Sequence, residues 1–124
     1  MIDAIVSGSV PHVDQGNLVI FVGGEHTTFK QCEPILDILG KNRFHMGASG
    51  MGTTMKLVVS TLLGLGMQAL AETIALGEKA GLKKRLLLEV LLETAVLTPG
   101  QKSKLEKVKR EEYPINFALS LIHR

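Results

Sequence analysis

Aromatic residues are scarce in this chain: four Phe, one Tyr and no Trp among 124 residues, or 4%. That argues against stacking platforms for nucleic-acid bases. A single cysteine, Cys32, excludes an internal disulfide framework and fits a reducing compartment. Neither sign of charge dominates: 14 Lys and Arg face 12 Asp and Glu, a net charge of +2. The run from Lys102 to Arg110 is locally basic, and such a run is ordinarily a solvated helix face. No basic segment followed by an apolar one opens the chain, so no secretory leader is expected. The four histidines, His12, His26, His45 and His123, lack metal-ligand spacing, and no metal site is expected. Nor does any Ser/His/Asp arrangement suggest a nucleophile.

What is abundant is apolar helix. At 45% hydrophobic residues one domain can build a core, and the stretch from Leu57 to Ala71 is apolar nearly all round. A helix of that pattern is expected to be buried on most sides. Its 15 residues stop at Glu72, short of the ~20 that cross a bilayer, so a core helix is expected rather than a membrane span.

Strands are expected at residues 2–6, 17–22 and 43–46, with Gly23-Gly24 ending the second. The intervening SGSVPHVDQG reads as loop. Thr27 or Thr28 can cap a helix through Leu39, stopped by Gly40 and kinked or broken at Pro34. The long helix should run from about Gly52 to Ala80 and end at Gly81. Further helices are expected over 83–96, 101–112 and from Phe117 to Ile122. Both chain ends are apolar and abrupt, which reads as a fragment of a longer protein.

The chemistry concentrates at the mouth of the long helix. Lys56 lies in its first turns, after Gly47, Gly50 and Gly52. A helix N-terminus repels a cation mildly, which favours the neutral amine and would suit an acid/base residue. The alternative is a lysine laying its stem on apolar surface and reaching water. Ser60, four residues on, shares its face. The glycines fall as G-x-x-G-x-G, the reverse of the dinucleotide fingerprint, and no Gly-Lys-Ser/Thr follows, so a free-standing nucleotide site is not expected. Ser7-Gly8-Ser9, after the first strand, could hold a carboxylate through hydroxyls and backbone N–H groups, or be an ordinary turn.

Several motifs occur together in order. Asp3-Ala4-Ile5-Val6-Ser7-Gly8-Ser9, Gly16-Asn17-Leu18 and Val22-Gly23-Gly24 resemble the D-A-P-V-S-G-G…G-x-L…V-G-G segment of β-hydroxyacid dehydrogenases. That family includes 3-hydroxyisobutyrate dehydrogenase, tartronate semialdehyde reductase and glyoxylate/succinic semialdehyde reductase. Pro34-Ile35-Leu36 with Gly40 resembles its P-x-L…G helix, and Gly50-Met51-Gly52 through Lys56-Leu57 its G-x-G-x-x-x-K-L. Ala71-Glu72 and Ala80-Gly81-Leu82 resemble the end of the same helix.

The resemblance implies a mainly α chain with a small β part. Residues 1–48 would be the last strands and helix of an NAD(P)-binding Rossmann domain. Residues 49–124 would be an all-helical domain like the C-terminal domain of 6-phosphogluconate dehydrogenase, truncated. It implies an oxidoreductase using NAD or NADP, with the main binding fingerprint missing from this chain, which alone would be inactive. Lys56 would be the general acid at the carbonyl oxygen, and the base in reverse. Ser7, Gly8, Ser9 and Ser60 would hold a small carboxylate substrate, and Arg124 would lie on the cofactor side, where the family's Lys-Asp pair begins. Ser9 replaces a glycine of the family pattern and Ser60 an asparagine, which bears on substrate choice. The expected setting is cytoplasm or an organelle matrix, as a homo-oligomer through the helical region, without nucleic acid or membrane. The contrasting reading is a non-catalytic helical dimerisation module derived from the same family.

Overall fold

A computed structural model describes residues 1–113. It is mainly helical with one three-stranded sheet, in the order β1(Ile2–Ser7), α1(Val10–Asp14), β2(Val19–Gly24), α2(His26–Leu39), β3(Asn42–His45), α3(Met51–Lys79), α4(Lys84–Glu93) and α5(Pro99–Arg110). The chain divides into two compact units, Met1–Thr61 and the residues from Leu62 onward. The helix expected over 117–122 and Arg124 lie outside the described residues.

In the first unit the sheet order is β1-β2-β3, antiparallel for the first pair and parallel for the second. The parallel pair is joined through α2, because two parallel strands need a long crossover. β2 is central and buried along nearly its whole length, which is why it reads as a continuous apolar run rather than an alternating one. Ile20 and Val22 of β2 pack with Phe29 and Leu36 of α2 to make this unit's core, with Ile2 and Cys32 at its edge.

Several boundaries differ from the sequence reading. Gly23 and Gly24 extend β2 instead of ending it, because a Cβ at Gly23 would meet the Ala48 carbonyl oxygen at 2.8 Å and only glycine lets that backbone approach. The loop after β1 contains the short helix α1. α2 starts two or three residues earlier than a Thr27 or Thr28 cap would place it, with Glu25 as the residue before its first turn. It also runs through Pro34 without a break. Pro34 and Lys30 are both exposed, so the carbonyl left without a donor can be met by water. Gly40 stops α2 in an extended conformation, φ −175°, close against the Leu18 carbonyl.

The second unit packs the later turns of α3 with α4 and α5 around Leu70, Leu88 and Leu105, flanked by Met67, Ile74, Leu91 and Val108. Thr98 caps α5 in a box with Gln101, whose side chain also donates to the Gly66 carbonyl at 2.8 Å. Glu89 of α4 holds Lys109 of α5 at 3.2 Å and Arg85 at 3.4 Å.

The largest correction concerns α3. It is 29 residues long, and only 6% of its most apolar 18-residue stretch is buried. Leu62, Leu65 and Leu76 are 74%, 65% and 70% exposed. An all-round apolar pattern reports what the final surroundings must be, and along its later turns the described residues cover only the stripe that meets Leu88 and Leu105. By length and composition alone this helix could also cross a membrane, so the argument from a 15-residue run does not hold.

Candidate functional site

The first unit places Lys56 at the end of β1. Its Nζ donates to the backbone carbonyl of Val6 at 2.8 Å, immediately before Ser7, Gly8 and Ser9. The residue is half-buried, and its ammonium donates to a strand carbonyl in a hydrogen bond that stays exposed to water. Ser60, one turn further along α3, is exposed.

Two elements set this geometry. β1 is one of the two edge strands of the described sheet, paired with β2 from Ile2↔Gly24 to Ser7↔Val19. α3 begins at the glycine turn after β3, where Met46 N–H donates to the Val22 carbonyl and Gly24 N–H to the Gly47 carbonyl.

The sequence reading missed what secures the helix start. The Asp3 carboxylate accepts from Gly50 N–H at 2.6 Å, from Thr53 N–H at 2.8 Å and from the Thr53 hydroxyl at 3.2 Å. Residues at a helix N-terminus normally cap themselves, and here the cap comes from a strand some fifty residues earlier. The bonds from Gly50, then from Thr53, hold the Asp3 carboxyl below its ordinary range. Gly52 is needed for the fit, since a Cβ there would meet the Phe21 carbonyl oxygen at 2.6 Å and an Asp3 carboxylate oxygen at 2.8 Å. A cross-strand cap carries no sequence pattern, because no local spacing links Asp3 to Gly50.

The same clamp excludes one use of the glycine turn. A phosphate binds a helix N-terminus through its unpaired N–H groups. At α3 two of those groups already serve a carboxylate, so a pyrophosphate would meet a negative charge there.

At the Ser7-Gly8-Ser9 segment the backbone is less open than expected. Ser9 N–H donates to His12 Nδ1 at 3.2 Å, and the Ser9 hydroxyl lies 2.9 Å from the same nitrogen. Ser9 is thus engaged by a histidine, leaving Ser7 and Gly8 as the less committed members of the proposed carboxylate site. His45 and His26 form a separate cluster with Phe29: the rings of His26 and His45 meet edge-on at 5.2 Å, and His45 Nε2 lies 2.7 Å from the Gly24 carbonyl. A cavity of about 570 Å³ opens beside His45, lined also by Met1, Gly24, Glu25 and Ser49. It adjoins the beginning of β1, whereas Lys56 stands at the end of that strand, so it is not the lysine's site. Among the described residues no three His, Cys, Asp or Glu side chains gather as metal ligands.

Residues 50–124 match the family model described as NAD-binding of NADP-dependent 3-hydroxyisobutyrate dehydrogenase. Residues 1–47 match that of the NAD-binding domain of 6-phosphogluconate dehydrogenase. The chain is 34% identical over 99% of its length to 2-(hydroxymethyl)glutarate dehydrogenase of Eubacterium barkeri, covering 41% of that protein. It is 36% identical over 95% of its length to the chloroplastic glyoxylate/succinic semialdehyde reductase 2 of Arabidopsis thaliana, covering 33% of it. Among solved structures, 3-hydroxyisobutyrate dehydrogenase from Salmonella typhimurium superposes with a TM-score of 0.78 at 27% identity, over 95% of this chain and 42% of that one. The chain therefore spans well under half the length of these relatives. With both family models matching in order along its length, the chain belongs to the β-hydroxyacid dehydrogenase family, oxidoreductases whose cofactor is NAD or NADP.

Proposed function

We propose that this chain is the later part of an NAD(P)-dependent dehydrogenase or reductase acting on a small hydroxy acid or aldehyde acid. Residues 1–48 are then the last strands of the Rossmann domain, and 49–124 the helical domain that follows. The βαβ arrangement of β2, α2 and β3 supports the first assignment, and the share of each relative covered supports the partial length. The observation that carries the function is the Lys56 ammonium beside the strand end that leads into Ser7-Gly8-Ser9.

In this reading Ser7 and Gly8 receive the substrate carboxylate, with Ser9 joining when His12 lets go. Ser60 lies on the face of α3 that Lys56 occupies and adjusts the fit. Lys56 gives a proton to the substrate's carbonyl oxygen in reduction and takes one from its hydroxyl in oxidation, as a positioned amine can. The dinucleotide's pyrophosphate does not sit on the glycine turn before α3, because the Gly50 and Thr53 N–H groups there already serve Asp3. We place its site outside the described residues, with Arg124 on the cofactor side. The names of the relatives favour glyoxylate, succinic semialdehyde or a hydroxymethyl acid as substrate class. A reducing soluble compartment, cytoplasm or organelle matrix, suits the lone Cys32.

The test is steady-state reduction of glyoxylate and succinic semialdehyde, and oxidation of 3-hydroxyisobutyrate, by this chain alone and by the chain joined to a dinucleotide-binding domain. Turnover only in the joined form supports the reading. No turnover in either, with cofactor bound, rejects it.

One observation favours a second reading. The exposed leucines of α3 are more than a small monomer normally leaves in water, which suits a helical assembly module without chemistry. Lys56→Ala separates the two, since assembly does not need the amine.

A further inference from the structure

Among the described residues Asp3 is the one carboxylate bonded to the first turn of α3, and it comes from the strand whose far end receives Lys56. β1 therefore meets the helix twice. Near its start Asp3 accepts the N–H groups of Gly50 and Thr53, and near its end the Val6 carbonyl accepts from Lys56. Two fixed points on one strand define both the position of the helix along it and the rotation that turns Lys56 toward it. Hydrophobic packing offers less direction here, because Leu57 and Val58 beside the lysine are exposed and Met55 and Val59 are only half-buried. The glycines at 23 and 52 leave the carboxylate its space: a Cβ at either would come within 2.4–2.8 Å of it.

We propose that Asp3 is a positioning residue for the reaction, setting the register of α3 on β1 so that Lys56 meets the substrate. This rests on the reading of Lys56 as the proton-transfer group.

A carboxylate is required because it only accepts. Asparagine has the same shape, but one of its two terminal atoms is a donor and would face an N–H group. Glutamate keeps the charge, yet its extra methylene moves the acceptor past both partners.

The experiment is a double-mutant cycle in the active enzyme. Asp3→Asn should lower kcat about 10- to 100-fold, the scale of an ångström-sized misplacement of a reacting group, with KM within about twofold. In a Lys56→Ala background the same substitution should cause no further loss, because its effect passes through the lysine. Equal fractional losses in both backgrounds would mean that Asp3 merely supports the fold, and would overturn the proposal. So would an unchanged kcat in Asp3→Asn when Lys56→Ala is inactive. If instead Lys56→Ala retains parental kcat, the proposed function itself fails and the positioning role with it. Accelerated amide exchange at Gly50 and Thr53 in Asp3→Asn would then still report the clamp. Should Asp3→Asn not fold, as judged by circular dichroism, Asp3→Glu carries the test: a similar kcat loss supports the geometric requirement, and parental kcat overturns it.

Discussion

Lys56 and Val6 are fifty residues apart in the chain and 2.8 Å apart in the fold, ammonium to carbonyl oxygen. A backbone carbonyl is an acceptor that a substrate oxygen can replace. The resting bond thus keeps the amine near Ser7 and Gly8 without neutralising it by a carboxylate.

Lys56→Ala should lower kcat by about 10²–10⁴-fold, the usual worth of a positioned proton donor, while cofactor affinity stays near parental. Lys56→Arg should rescue little, since a guanidinium does not give up its proton. Ser60→Asn should change the preference among glyoxylate, succinic semialdehyde and 3-hydroxyisobutyrate without abolishing turnover. Steady-state kinetics with the three substrates, together with a fluorescence titration of the cofactor, decides each case.

The uncovered apolar surface of α3 predicts a homo-oligomer through the helical region. Light scattering at ~10 μM should give at least a dimer, since large hydrophobic interfaces hold well below that concentration. Leu62→Glu, at a position 74% exposed in the single chain, should yield monomer with the helix content retained. Gly64 has open space around it, so alanine there should stabilise the isolated helix by about 1 kcal/mol. Loss of assembly in Gly64→Ala would locate the close approach of a second copy.

Acid should weaken the fold in two places. Asp3 is held below its ordinary value by the N–H groups of Gly50 and Thr53, and Glu89 by Lys109 and then Arg85. A carboxylate with a lowered folded pKa contributes stability that is complete above its unfolded value. That stability fades as pH falls from the ordinary carboxylate range through the lower folded one. In Asp3→Asn and Glu89→Gln the acid limb of thermal stability should be flatter than in the parent, with the parent the more stable at neutral pH. Melting curves from pH 7 to pH 2 give the comparison, and an unchanged acid limb in both variants would count against these contacts in solution.

Leu105, 1% exposed between Leu70 and Leu88, should cost about 2–5 kcal/mol as alanine, because the cavity left in so small a core cannot be refilled. Gly52→Ala should destabilise for a different reason: its methyl would press on the Phe21 carbonyl and the Asp3 carboxylate. Denaturant unfolding should show both losses. Only Gly52→Ala should also speed amide exchange at Thr53.

Local patterns were readable without coordinates. The strand runs of β1, β2 and β3 and the long apolar period of α3 depend on interactions within a few residues, whereas Thr98-Pro99-Gly100, which reads as a helix stop, instead caps and opens α5. The family motifs around Gly50, Gly52 and Lys56 were legible for the same reason, as residue types at short fixed spacing. Helix ends were less so: Glu25 precedes α2 although Thr27 and Thr28 are better caps, because the close of β2 decides where the chain turns. Pro34 stays within α2 because its face looks outward, a property of packing and not of proline. The exposure of α3 could not be read, since hydrophobicity states a preference for burial and only the assembled neighbours determine whether it is met. Asp3 is the clearest case. By composition it is one more acidic residue on a strand, and its role as the cap of α3 exists only because the sheet brings residue 3 against residues 50 and 53. Hydrogen bonds between distant segments leave no periodicity in a chain, and tertiary structure alone creates them.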